Sequence, residues 1–169
     1  EKHFMNKLIV FIFLIYASFL YSQSEEEVIL INSDKEVLNI GKKMYLLEDT
    51  QNKLTIEDIQ KSEYQKMFKK SEEEIPNFNS SHGKMWVKFT VLNQTEKEII
   101  LEVGEPTAWY IDFYKPNPAG KLELATQTGM MRPIENREVD NNFFLFELSN
   151  SPEKKTYYFS IQSESTFLI

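Results

Sequence analysis

The sequence contains no cysteine and only two histidines, His3 and His82. The first absence removes a disulfide framework, a thiol nucleophile and any cysteine zinc site together. The second leaves no group of imidazoles to hold a metal. His3 precedes an apolar leader, and His82 lies in the polar loop Asn79-Ser80-Ser81-His82-Gly83. No Gly-x-Ser-x-Gly elbow accompanies it, so a hydrolytic triad has no support and the chain is not expected to be an enzyme. Basic residues are in the minority: Lys and Arg number 19 against 26 for Asp and Glu, a formal net charge of −7. Phosphate backbones and anionic lipid surfaces are bound by concentrated positive charge, so neither is an expected partner. No internal repeat or low-complexity stretch is present.

What the chain does contain is material for a core. Hydrophobic residues make up 41% and aromatics 14%, which excludes a disordered chain. Near the start, Met5-Asn6-Lys7 leads into an apolar run from Leu8 to Leu20 and a polar exit at Tyr21-Ser22-Gln23. This has the layout of a secretory signal, with cleavage expected between Ser22 and Gln23. The run is shorter than the roughly 20 residues that span hydrocarbon. Residues 1–22 are therefore read as upstream residues plus leader, and 23–169 as one exported, extracytoplasmic domain. The runs Glu25–Glu27 and Glu72–Glu74 are read as solvated charge.

Apolar period and turn residues divide that domain into short strands. Val28–Ile31 and Met44–Leu47 come first, with a turn at Asn39-Ile40-Gly41-Lys42 in which Gly41 supplies an unusual backbone angle. Thr55-Ile56-Glu57-Asp58 has the form of a capping box and opens a short helix over about 56–62. Tyr64, Met67 and Phe68 continue the helical spacing and are expected to form a lid on the sheet. From Met85 to Leu92 the period is two, with Met85, Val87, Phe89 and Val91 alternating with Trp86, Lys88, Thr90 and Leu92. Further strands are expected at Ile99–Val103, Trp109–Tyr114, Leu122–Gln127, Phe143–Leu148 and Tyr157–Ser163. Short strands at such spacing indicate an all-β sandwich or barrel. The abrupt apolar end, Phe167-Leu168-Ile169, gives the expectation that the chain is truncated.

Taken in order, these segments carry a resemblance. Tyr45-Leu46-Leu47-Glu48-Asp49 precedes Leu54-Thr55-Ile56; Trp86-Val87-Lys88-Phe89 is followed by Asn93 and by Tyr110-Ile111-Asp112-Phe113-Tyr114. Thr128-Gly129, Arg132-Pro133, Arg137, Phe143–Leu148 and Tyr157-Tyr158-Phe159-Ser160-Ile161 complete the series. From about Val28 to Ile169 the chain resembles the second type of extracellular domain on bacterial seven-transmembrane receptors with diverse intracellular signalling modules. The resemblance implies an antiparallel jelly-roll β-sandwich similar to carbohydrate-binding modules. It also implies membrane helices and a cytoplasmic signalling module as partners in a full-length receptor.

A sugar-binding sandwich uses aromatic faces for stacking and polar side chains for hydroxyls. Trp109 and Tyr110 with Asp112 and Tyr114 are candidates for such a platform, while Trp86 and most phenylalanines belong in the core. Arg132 and Arg137 flank Pro133 in the segment from Gly129 to Asn142. They either clamp an acidic ligand or tie that segment to the sandwich through Asp or Glu, the second reading being preferred. The expected function is extracytoplasmic sensing of a small ligand, a carbohydrate by fold analogy, with no cofactor or metal. The alternative is a cell-surface domain that binds another protein.

Overall fold

The computed structural model describes residues 26–33, 37–78, 83–95, 97–163 and 167–168. The leader, His82 and the cluster at Asn79 lie outside these residues. In chain order come β1 (Val28–Ile31), a 3₁₀ turn at Gly41–Lys43, β2 (Tyr45–Asp49), and single-turn helices at Ile56–Ile59 and Ser62–Gln65. Then follow β3 (Lys69–Lys70), β4 (Asn77–Phe78), β5 (Lys84–Asn93), β6 (Ile99–Val103), β7 (Tyr110–Pro116) and β8 (Leu122–Thr128). A 3₁₀ turn at Ile134–Asn136 precedes β9 (Phe144–Leu148), β10 (Lys154–Gln162) and β11 (Phe167–Leu168).

Seven strands form the main sheet, in the order β3-β2-β5-β10-β7-β8 with β1 beside β5. The pairs β6-β9 and β4-β11 stand apart from it. The fold is the all-β antiparallel sandwich that the alternation predicts, with one departure. β1 runs parallel to β5, Val28 opposite Thr90. β2 pairs with the same edge of β5 but only along Lys84–Lys88, and β1 fills the rest of that edge.

Alternation assigns each side chain to a layer. Val87, Phe89, Ile111, Phe113, Tyr157, Phe159 and Ile161 point from the main sheet into one core. They meet Leu101, Val103, Phe144, Phe146 and Leu148 from β6 and β9. Aromatic stacking fixes the join: Phe113 lies 4.7 Å from Phe146 and 6.0 Å from Tyr157, centroid to centroid. The opposite face of the sheet is covered over part of its length. Leu47, Trp86 and Tyr158 form a second cluster there with Ile59 and Phe68, and Tyr64 packs against it; of the lid residues foreseen from helical spacing, Met67 is instead 53% exposed.

Local chemistry builds that lid. The Thr55 hydroxyl accepts from the Asp58 amide at 3.2 Å, and the Asp58 carboxylate accepts from the Thr55 amide at 3.1 Å, the reciprocal capping box read from the sequence. A Lys61 hydrogen bond and the Thr55 contacts lower the Asp58 pKa to about 2. Gly41 serves differently from expectation. It is not among the residues with positive φ; a Cβ there would lie 2.1 Å from the Glu74 carbonyl oxygen. Close approach of two backbones, not an unusual angle, is what requires glycine at this point.

One carboxylate joins the two sheets at their edge. Glu138 accepts from the Thr126 hydroxyl on β8, from Lys115 Nζ on β7 at 2.9 Å and from the Glu147 amide on β9 at 2.8 Å. Burial raises its pKa, but these hydrogen bonds outweigh burial and hold it below the ordinary 4.5. A depressed folded pKa gives stability that is present above 4.5 and lost as pH falls through the folded value. Glu138→Gln is therefore expected to cost about 1–2 kcal/mol at neutral pH. Urea titrations should show the variant and the unsubstituted chain converging in acid; a constant gap would remove the charge from the account.

Candidate functional site

The second face carries the chemistry because its polar groups are only partly covered. Asp112 sits on β7 opposite Ser160 of β10 and Gln127 of β8. Arg132 reaches it from the segment after β8, with Nη1 2.6 Å from Asp112 Oδ1. The same guanidinium donates to the Ile111 carbonyl at 2.9 Å and the Thr128 carbonyl at 3.2 Å, and lies over the Tyr110 ring at 5.3 Å. Asp112 also accepts from the Gln127 amide at 3.1 Å. Three of the six residues singled out from sequence, Tyr110, Asp112 and Arg132, thus meet in one cluster, while Tyr114 packs on the buried Trp86 ring at 5.7 Å.

Trp109 is half-buried beside it, its amide on the Gln162 carbonyl and its carbonyl accepting from Met131. Arg137 stands elsewhere, donating to the Asn141 carbonyl and packing over the Phe144 ring at 5.0 Å. Both arginines brace the segment between β8 and β9. Arg132 does so through Asp112, the carboxylate partner that the tethering reading requires.

Farther along the same face, an open cleft of about 730 Å³ lies between the lid and two turns. Gln60 and Gln65 contribute from the lid. Pro116, Pro118 and Leu122 supply an apolar wall from the β7–β8 turn. Glu153, Lys154, Lys155, Thr156 and Tyr158 line it from β10 and the residue before it, and Glu26 borders it from the start of the described chain. Burial raises the Tyr158 pKa to about 12, opposed by a hydrogen bond with Gln65 and reinforced by Glu26. The phenol is neutral at physiological pH and retains its proton as a donor.

Behind this cleft is a buried cation that sequence reasoning did not single out. The Lys88 side chain is 2% exposed. Its ammonium donates to Gln65 Oε1 at 2.9 Å and to Glu26, and lies 4.9 Å and 5.4 Å from the ring centroids of Phe68 and Tyr45. A buried ammonium is tolerated only with such partners. Gln65 is correspondingly committed, its amide donating to the Tyr158 hydroxyl at 3.2 Å. Nearby, the buried Trp86 indole N–H has no partner among the described residues. Of the acidic run read as solvated, Glu25 lies outside the described residues, and Glu26 and Glu27 stay 43% and 38% exposed while each is paired. Glu26 pairs with Lys88, and Glu27 pairs with Lys70 at 2.5 Å while its amide donates to the Tyr45 hydroxyl. The signal for Lys88 was the alternation itself, which places it on the face of Trp86 under the lid aromatics.

Among the described residues no helix is long and apolar enough to cross a membrane. No curated protein matches the chain. The family model described as 7TMR-DISM extracellular 2 matches residues 41–169, a span that includes the lid, the cleft walls, Lys88 and the Arg132 cluster. The chain therefore belongs to the 7TMR-DISM extracellular 2 family, extracellular domains that stand outside the membrane and are tethered to it in the intact seven-transmembrane receptor.

Proposed function

We propose that the domain is a non-catalytic sensor that binds a small polyhydroxylated solute of the carbohydrate class in the cleft beside the lid. One observation carries the reading: a cleft of about 730 Å³ that sets amide, hydroxyl and charged groups opposite an apolar wall. Sugars present both hydroxyls and C–H faces, so they match a lining of this kind. Export through the leader at residues 1–22 delivers the domain to the solute. Signalling follows if the ligand favours one arrangement of the domain relative to the membrane helices, and only a difference in affinity between arrangements can do so. Arg132 spends Nη1 on Asp112 and on the Ile111 and Thr128 carbonyls, and the cluster is assigned a tethering role.

The test is thermal unfolding of the full chain against sugars, amino acids and small acids. A true ligand at about 100 times its Kd should add about 2.7 kcal/mol of stability. Ala119 is exposed on the cleft wall, and Ala119→Trp should abolish that shift while leaving the unliganded melt in place. A shift that survives the substitution moves the site elsewhere. Indifference to the whole panel favours the protein-binding alternative. One observation supports that second reading: Met130, Met131 and Ile134 are 53%, 58% and 61% exposed on the segment after β8.

A further inference from the structure

We propose that the ligand of this cleft carries a carboxylate, and that Glu26 occupies the ligand's place on Lys88 in the empty domain. The inference rests on the cleft reading above and narrows its ligand to an acidic sugar or a related hydroxylated acid. Lys88 is a fixed positive charge on β5, 2% exposed, between the rings of Tyr45 and Phe68. Its protein partners Glu26 and Gln65, and Gln65's own partner Tyr158, all line the cleft. The ammonium is thus one carboxylate removed from the cleft surface.

That carboxylate is the exchangeable member of the group. The Glu26 side chain is 43% exposed, against 2% for Lys88, and it comes from the chain before β1 rather than from the sheet or the lid. Glu27 anchors that chain separately, through the Tyr45 hydroxyl and Lys70. Glu26 can therefore turn outward without detaching β1. Exchange of one carboxylate for another keeps the buried ammonium paired, whereas a neutral solute in the same position leaves it unpaired. Charge around the cleft favours the exchange: Lys155 is paired with Glu153 at 3.0 Å, which leaves Lys154 on the cleft and Lys88 behind it once Glu26 has turned away. Gln60 and Thr156 also line the cleft, each bonded once within the domain, to the Ile56 carbonyl and to the Thr90 hydroxyl at 2.9 Å.

The experiment is chemical rescue. Glu26→Ala should lower the melting temperature of the full chain, and sodium acetate should restore it saturably. Acetamide, the neutral counterpart of the same shape, and sodium chloride at matched ionic strength should not. The unsubstituted chain, whose own carboxylate is in place, should gain little from acetate. Galacturonate should bind Glu26→Ala on the order of tenfold more tightly than the unsubstituted chain, since no internal competitor has to be displaced. Galactose should show no such difference.

Should Glu26→Ala not fold, Glu26→Gln keeps the shape of the side chain without its charge and carries the comparison of galacturonate with galactose. Equal responses to acetate and acetamide, or an equal acetate effect in the unsubstituted chain, overturn the proposal. A neutral sugar that stabilises through the cleft while acetate does nothing removes the carboxylate and leaves the cleft reading intact. Acetate rescue with no response to any sugar does the reverse.

Discussion

Phe113→Ala is expected to lower the unfolding free energy by about 3–5 kcal/mol, the range for emptying a large aromatic site in a core. Phe113 is fully buried on β7, one of the inner strands of the main sheet. Its ring faces Phe146 of β9 at 4.7 Å, in the other sheet, and Tyr157 of β10 at 6.0 Å within its own. Loss of the ring therefore removes contacts both between layers and within one. Collapse around the vacancy is limited, because Tyr157 is held by the Ser149 amide on its hydroxyl at 2.9 Å and by stacking on Phe89 at 5.5 Å. Leu124, on the adjacent strand but 47% exposed, is the matched control, and Leu124→Ala should cost under about 1 kcal/mol. Urea unfolding with a common slope would measure both. Equal effects at the two positions would show that the sheets do not join at Phe113.

The strands that bury this ring were legible because their determinants are local. Period-two alternation in Met85–Leu92 and Tyr110–Tyr114 states which side chains share a face, and β5 and β7 follow it. The capping box at Thr55 and Asp58 spans three residues and came out as read. What could not be read has partners far apart in sequence. Lys88 looks like an ordinary solvent-side residue of an amphipathic strand until Gln65 and Glu26, 23 and 62 residues away, are placed over it. The same holds for Glu138, whose donors come from three strands, and for β1, whose parallel pairing depends on the length of β5 left free by β2.

The Tyr110–Asp112–Arg132 cluster was visible because aromatic and charged residues stand close together in the chain. Its geometry ties the segment after β8 to the sheet through Arg132 Nη1, which meets Asp112 and two backbone carbonyls. The cleft is assembled from the lid, two turns, β10 and Glu26 ahead of β1, and no contiguous motif announces it. A sandwich face that is covered at one end and open at the other has its polar residues most usefully placed at the boundary. Gln65 and Tyr158 occupy that boundary, bonded to each other and lining the cleft.

Gly129→Ala is expected to destabilise the fold by about 3 kcal/mol or more, because two penalties coincide there. Its φ is +130°, a conformation that side chains disfavour, and an added Cβ would lie 2.2 Å from the Trp109 carbonyl oxygen and 2.9 Å from Tyr110 Cα. That carbonyl accepts from the Met131 amide at 3.1 Å, and the Met130 amide donates to Ala108 at 2.8 Å. Relief of the clash would pull apart the bonds that aim Arg132 at Asp112. Two other glycines separate the penalties. Gly120 has a φ of +80° but open space around it, so Gly120→Ala should show the backbone penalty alone, about 1–2 kcal/mol. Gly104 has neither feature, and Gly104→Ala should be neutral or slightly stabilising through the unfolded chain. The ordering Gly129, Gly120, Gly104 in urea midpoints is the measurement. If Gly129→Ala proved no worse than Gly120→Ala, β8 and the strand entry at Trp109 would not pack as closely as 2.2 Å implies, and the Arg132–Asp112 pair would need another support.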